Sequence, residues 1–204
     1  MFNSMRIPKP TYLDIGANDP VRLSNTYLFY TQGCSGVCIE ANPIKADEIA
    51  EVRPNDRLLK VGVSPFDSDP LDFFVMSNDV LSTLSKKEAD RMVREEGESI
   101  VNVVQVPVMT FNQVMEIEFD SPPDFVSLDV EGLDCEILQT YDFSRCKPLA
   151  WCLETISYSA TGQGVKDREQ QQILEAQGYM LYADTYVNSI FVDADRWNNR
   201  HATN

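Results

Sequence analysis

Short apolar runs recur along this chain, and most are separated by stretches in which apolar residues fall at helical spacing. Tyr12 to Ile15, Gly36 to Glu40, Leu58 to Val63, Asp124 to Asp129 and Ala150 to Glu154 read as buried strands, since a strand covered on both faces is apolar nearly throughout. Leu71 to Met76 and the β-branched Ile100 to Met109 read as two more. Helices are expected over Arg22 to Gln32, from Pro43 through about Val52, and over Lys86 to Glu96, Phe111 to Ile117, Asp134 to Thr140 and Asp167 to Gln177. Asn42 is placed to cap the second helix, while Gly33 and Gly178 end the first and the last. Lys86 to Glu96 is charged, with apolar positions at Ala89, Met92 and Val93, and reads as a surface helix. Tyr179 to Thr185 and Ser189 to Val192 flank a tight turn at Val187-Asn188, a closing antiparallel hairpin. Residues 1–10 read as an extended lead-in, Ser64 to Pro70 and Ser157 to Val165 as loops, and the polar tail beyond Asp193 as frayed.

Strands alternating with helices give an α/β fold with a doubly wound, mainly parallel sheet. Right-handed crossovers would then bring Asp14, Glu40, Asp129 and Glu154 to one rim, each acid ending a strand. Together they suit cationic or hydroxyl-bearing ligands.

The corner around which the chain is organised is Thr11-Tyr12-Leu13-Asp14-Ile15-Gly16-Ala17-Asn18-Asp19-Pro20. Strand, small-residue loop and helix in that order make the ligand-binding corner of such a sheet. Gly16 permits a sharp turn and close approach to a ligand, and Pro20 is tolerated in a first helical turn. A pyrophosphate corner needs several glycines with exposed N–H groups; this loop has one glycine and two carboxylates, Asp14 and Asp19. Carboxylates repel a diphosphate and suit the ammonium of an amino-acid moiety, which favours S-adenosylmethionine. An ordinary turn capped by Asn18 or Asp19 would use the same residues. Glu40, one βαβ step on, is placed to accept both hydroxyls of a ribose, a feature shared with nicotinamide sites.

Composition narrows the partners. A net charge of −15, from 32 acids against 17 bases, disfavours nucleic acid and anionic membrane. No apolar run approaches the length of a membrane span. Five cysteines, Cys34, Cys38, Cys135, Cys146 and Cys152, with no signal peptide ahead of them, favour free thiols and a cytoplasmic location. The single histidine, His201, lies in the tail, and zinc is not expected.

Taken together, Leu13-Asp14-Ile15-Gly16-Ala17-Asn18, Ile39-Glu40-Ala41-Asn42-Pro43 and Leu128-Asp129-Val130-Glu131-Gly132 resemble, in order and spacing, the FkbM family of S-adenosylmethionine-dependent methyltransferases. Pro107 to Phe111 looks like the segment preceding that family's fourth strand, and Leu174 to Tyr179 like its late helix-to-strand passage. The resemblance implies a single class I methyltransferase-like, Rossmann-like domain over 1–204, with its core at about 11–193 and the antiparallel hairpin at its end. It implies that Asp14, Gly16 and Asn18 hold the methionine end of the cofactor, with Ser24 and Asn25 reaching its carboxylate. Glu40 takes the ribose, with Asn42 beside it, and Gly62 and Val63 lie near the adenine, a placement that rests on the class more than on a matched motif. Asp129 and Glu131 face the transferring methyl and the acceptor. Three positions depart from the family pattern: Pro20 replaces its second glycine, Ala41 a proline and Ser127 a lysine.

Positioning supplies much of the catalysis of an in-line methyl transfer. An alcohol acceptor also benefits from a carboxylate base or a divalent metal, so O-methylation of a small molecule or sugar is the expected reaction. Asp129 and Glu131 are the first candidates for the base and Glu154 the next. The alternatives are a cofactor-binding module without turnover and, more weakly, a nicotinamide-dependent oxidoreductase. The acceptor is not legible, no metal is assigned, and a homo-oligomer is compatible with the sequence.

Overall fold

A computed structural model describes residues 1–68, 70–159 and 164–202. Asp69 of the first expected loop, residues 160–163 of the second and the last two residues of the tail lie outside that description. In chain order the elements are β1 Tyr12–Ile15, α1 Tyr27–Thr31, β2 Gly36–Ile39, α2 Pro43–Val52, β3 Arg57–Leu59, β4 Gly62–Ser64, β5 Leu71–Met76 and α3 Lys86–Arg91. They continue with β6 Ile100–Val106, β7 Val108–Thr110, α4 Phe111–Glu118, β8 Phe125–Leu128, α5 Asp134–Thr140, β9 Ala150–Glu154, α6 Glu169–Ala176, β10 Tyr179–Asp184, β11 Asn188–Asp193 and α7 Ala194–Asn198.

The main sheet has the order β10-β11-β9-β8-β1-β2-β3. The five strands from β9 to β3 pair in parallel, and β11 runs antiparallel to both β9 and β10. This is the expected doubly wound sheet with its terminal hairpin. Strand order reverses between β1 and β8, the point at which open α/β sheets bind ligands beyond their carboxyl ends.

Alternation along the strands sorts the core into two layers. Leu13, Ile15, Val126, Leu128, Trp151 and Leu153 point to one face, where Val114 of α4, Ile137 of α5 and Leu174 of α6 pack on them. Tyr12, Phe125, Ala150 and Cys152 point to the other, against Phe2 and Phe29. Asp14 shares Tyr12's parity, so it points into the second layer.

Several expectations are corrected. The helix expected over Arg22 to Gln32 is confined to Tyr27–Thr31. Asn18 and Leu23 both adopt positive φ, outside helical geometry. The Asp19 carboxylate accepts N–H bonds from Val21 and Arg22, and the Ser24 hydroxyl accepts them from Thr26 and Tyr27. Side chains thus take donors that a helix would use, and Pro20 is buried in a loop.

The expected third strand divides at Lys60-Val61: β3 stays on β2, while β4 leaves to pair with β7. The expected run Ile100 to Met109 breaks at Pro107, which has no N–H for a ladder. Its first part, β6, forms an antiparallel pair with β5.

The charged helix buries Ala89 and Met92 against Phe74, Met76 and Leu81, so it is half a core element. The lead-in is not extended: a 3-10 turn at Phe2–Met5 seats Phe2 edge-on to Phe29 and Phe125. The tail forms α7, capped by the Asp193 carboxylate on Arg196 N–H and pinned where Trp197 meets Tyr182. All five cysteines are unpaired, and no helix among the described residues is long and apolar enough to cross a membrane.

Candidate active site

A cavity of about 240 Å³ opens at the switch point, lined by the residues that follow β1, β2, β8 and β9. Its first wall is the turn after β1. Gly16 has φ +76°, and a Cβ there would collide with the Asp129 carbonyl oxygen, so only glycine lets this turn lie against the loop after β8. Gly16 and Ala17 donate N–H bonds to the Ile39 carbonyl, which ties the turn to β2.

Glu40 organises the opposite wall. Its carboxylate accepts N–H bonds from Asn18 at 2.8 Å and from Asn42 at 2.7 Å, one on each oxygen. These bonds fix its orientation and leave lone pairs for ligand hydroxyls. Burial pushes its carboxyl above the usual range. Asn42 is spent elsewhere: its side chain caps α2 by accepting from Ile44 N–H.

Asp14 is one residue short of the strand end and faces away from the cavity, which corrects its expected place on the rim. Its carboxylate accepts a short hydrogen bond from the Thr26 hydroxyl and lies 3.6 Å from Arg53. Arg53 is 1% exposed and also pairs with Asp56 at 2.7 Å. It donates to the Tyr12 and Thr26 hydroxyls and reaches Ser24 Oγ at 3.4 Å. A buried cation therefore anchors the loop 17–26 from below. Ser24, like Asp14 and Asn42, supports the wall and does not line the cavity. Asn25 does line it, and donates to the Ser127 hydroxyl at 3.1 Å. Gly62 and Val63 form the floor by β4.

The three candidate catalytic acids converge. One carboxylate oxygen from each of Asp129, Glu131 and Glu154 lies within 4.8 Å of the others. Burial, then Glu154, raises Asp129 well above the carboxylate range; burial, then Asp129, does the same to Glu131. Glu154 is pushed up to about 7, by burial and then by Asp134. Asp129 and Glu154 lie close enough that the charge of one disfavours ionisation of the other. Carboxylates raised in this way are better proton acceptors than ordinary ones, as a general base requires, and the three oxygens also form a donor set for a hard divalent cation.

Glu131 sits at φ +53°, unusual for a residue with a side chain. Its carbonyl accepts a 2.7 Å hydrogen bond from the buried Thr83 hydroxyl. The segment carrying Thr83 also lines the cavity through Asp79 to Ser82 and Leu84. It is held to the turn after β1 and to α2 where Asn18 reaches the Asp79 carbonyl and Lys45 pairs with the Asp79 carboxylate at 2.7 Å. Asn188 on the β10–β11 hairpin completes the rim and donates to Asn25 at 3.3 Å. Arg53, Thr83, Asp79 and Asn188 were not candidates from sequence. The hairpin turn is legible in the sequence but falls just before Asn188, which begins β11, and nothing in the sequence brings Asn188 to this cavity.

A parallel sheet of this order, with an acid after β2 and a glycine turn after β1, is a class I, Rossmann-like methyltransferase fold. The chain belongs to the methyltransferase FkbM domain family, whose model matches residues 14–181. It is accordingly an S-adenosylmethionine-dependent methyltransferase. Among solved structures it is similar to a TehB-like S-adenosylmethionine-dependent methyltransferase from Corynebacterium glutamicum, at 13% identity and TM-score 0.45, over 94% of this chain and 84% of that one. It is also similar to a Burkholderia thailandensis 1,6-didemethyltoxoflavin-N1-methyltransferase with bound S-adenosylhomocysteine, at 10% identity and TM-score 0.43, over 93% and 75% of the two chains. No curated protein matches the chain.

Proposed function

We propose that this enzyme methylates a hydroxyl of a small molecule or sugar, with the Asp129, Glu131 and Glu154 cluster receiving the hydroxyl proton. The observation that carries this reading is the convergence of three carboxylates on the cavity, where burial and mutual repulsion raise each above its ordinary value. S-adenosylmethionine supplies a methyl on a cationic sulfur, and the new O–C bond forms as the C–S bond breaks and its electron pair stays on sulfur. Glu40 orients the ribose through lone pairs left free by Asn18 and Asn42. Gly16, Asn18 and Asn25 cradle the methionine end, while Asp14, Ser24 and Asn42 hold that cradle from behind. Gly62 and Val63, which line the cavity beside β4, would lie near the adenine. Asp129, in its ionised form, accepts the hydroxyl proton and becomes the neutral carboxylic acid, and Glu131 and Glu154 stand beside it on the acceptor side. The five unpaired thiols support a reducing, cytoplasmic setting.

A metal-assisted version is favoured by the oxygen spacing of the same three acids. The test is a screen of small-molecule extracts with labelled methyl donor, followed by Asp129→Asn on the acceptor it finds. Binding of S-adenosylhomocysteine should persist while turnover falls about 10²–10⁴-fold, the usual worth of a general base. Loss of activity on chelation, restored by Mg²⁺, selects the metal-assisted version. Wild-type turnover by Asp129→Asn and by Glu131→Gln would remove both acids from the chemistry.

A further inference from the structure

The amino-acid end of S-adenosylmethionine carries an ammonium and a carboxylate, and the groups expected to meet them are turned away or already engaged. Of the two carboxylates that the turn after β1 offers an ammonium, Asp14 faces away from the cavity and is held by Thr26 and Arg53. Ser24 does not line the cavity. Asn25 does, but its amide N–H₂ donates to Ser127 and its carbonyl accepts from Asn188. Two charged side chains of the same loop, Asp19 and Arg22, line the cavity and have no part in the chemistry above.

Asp19 is fixed in place with one oxygen to spare. Its Oδ1 accepts N–H bonds from Val21 at 2.9 Å and from Arg22 at 2.6 Å. Its Oδ2 accepts no hydrogen bond among the described residues and lies 3.6 Å from Arg22 Nε. Burial works to raise this carboxyl, but the two N–H bonds outweigh it and hold the group below its ordinary range. Asp19 is therefore a standing negative charge at neutral pH. The other acids on the cavity differ: Asp79 is paired with Lys45, while Glu40, Asp129, Glu131 and Glu154 are all raised.

Arg22 is the one Lys or Arg among the described residues lining the cavity. Its side chain is 85% exposed, and its guanidinium makes no hydrogen bond among the described residues. An ion pair this exposed is worth little, so both groups can turn to a ligand at small cost. Pro20, buried between them in sequence, restricts the backbone that carries both.

We propose that Asp19 and Arg22 clamp the zwitterionic end of the cofactor, Asp19 Oδ2 accepting from its ammonium and Arg22 donating to its carboxylate. The inference rests on the cofactor lying in this cavity, and it moves to Asp19 and Arg22 the contacts that the sequence assigns to Asp14 and Ser24.

The test is calorimetric titration of the full chain with four ligands. They are S-adenosylhomocysteine, S-adenosyl-3-thiopropylamine (no carboxylate), S-adenosyl-4-thiobutyrate (no amine) and 5′-methylthioadenosine (neither). Arg22→Gln should weaken S-adenosylhomocysteine and the thiobutyrate about tenfold, the usual loss for a hydrogen bond between charged groups, and leave the propylamine unchanged. Asp19→Asn keeps an oxygen for the N–H groups of Val21 and Arg22, so the turn is preserved. It should weaken S-adenosylhomocysteine and the propylamine about tenfold without weakening the thiobutyrate. 5′-Methylthioadenosine should bind both variants as it binds the unaltered protein, which shows that the rest of the cavity is intact. Wild-type affinity of either variant for S-adenosylhomocysteine, or a loss equal across all four ligands, overturns the clamp alone. Failure of S-adenosylhomocysteine to bind the unaltered protein would overturn the placement of the cofactor along with it.

Discussion

Arg53→Met is the perturbation whose cost the structure sets most clearly. The guanidinium is almost wholly buried, pairs with Asp56 at 2.7 Å and faces Asp14 at 3.6 Å. It also donates to the hydroxyls of Tyr12 and Thr26. Methionine fills similar volume but leaves two buried carboxylates with no cation. Breaking a buried pair in this way costs about 3–5 kcal/mol, a large part of a typical stability of about 5–15 kcal/mol. For a chain of this size each kcal/mol moves the melting temperature by about 2–4 °C, so the shift should fall between roughly 6 and 20 °C. Urea titrations at pH 7.5 and pH 5 give the free energy directly. The loss should be smaller at pH 5, because burial already raises Asp14 and removing Arg53 raises it further, so acid can neutralise it. Adding Asp56→Asn should recover part of the loss, since the neutral amide removes one orphaned charge. A loss below about 1 kcal/mol, or one that is the same at both pH values, would refute the idea that this cation holds the cofactor loop through electrostatics.

Other consequences follow from the cavity walls. Glu40→Gln should weaken S-adenosylhomocysteine binding about 10–100-fold by calorimetry, because a charged acceptor for the ribose is lost and an amide N–H₂ is turned toward a backbone N–H; unchanged affinity would take Glu40 out of the site. Gly16→Ala combines positive φ with a collision at the Asp129 carbonyl, so the variant should lose at least about 2 kcal/mol by denaturant titration and most of its cofactor affinity; a wild-type dissociation constant would contradict the close approach of the two loops. Glu154 titrates near 7 in the fold against about 4.5 unfolded, so its stabilising contribution is complete below about pH 4 and is lost as pH rises through 7. With chelator present, Glu154→Gln should flatten the decline in stability between pH 4 and pH 8 by up to about 3 kcal/mol; an unaltered slope would place the titrating proton elsewhere.

The parts of the site legible in the sequence are those fixed by local pattern. Glu40, Asp129 and Glu154 follow or end short apolar strands, and parallel register brings such ends together whatever lies between them. Asp14 was misplaced although the information to place it was there. Period-two alternation puts it on Tyr12's face, and Ile15, not Asp14, ends the strand. The helix expected over Arg22 to Gln32 failed for a different reason: apolar spacing at Leu23, Tyr27 and Leu28 imitates a helix, but Leu23 is 84% exposed and Leu28 64%. Spacing alone does not register that Asp19 and Ser24 take the backbone donors. Arg53 and Thr83 were invisible because each acts through partners remote in sequence: Arg53 reaches Asp14, and Thr83 reaches Glu131.

The placement of Thr83 bears on how the cluster of Asp129, Glu131 and Glu154 keeps its geometry. Glu131 cannot hold a positive φ for free, since a side chain in that region costs about 1 kcal/mol or more, and Gly132 next to it, also at positive φ, adds no rigidity. What opposes relaxation is the bond from Thr83, itself locked by the mutual N–H bonds between Thr83 and Phe74 on β5. The β5–β6 ribbon is not part of the seven-stranded sheet, yet through Thr83 it fixes one acid of the cluster and through Asp79 it meets the cofactor turn at Asn18. The parallel sheet therefore positions Asp129 and Glu154, while the orientation of Glu131 depends on an element outside that sheet. A change in the ribbon would reach Glu131 without disturbing the strands that carry the other two acids.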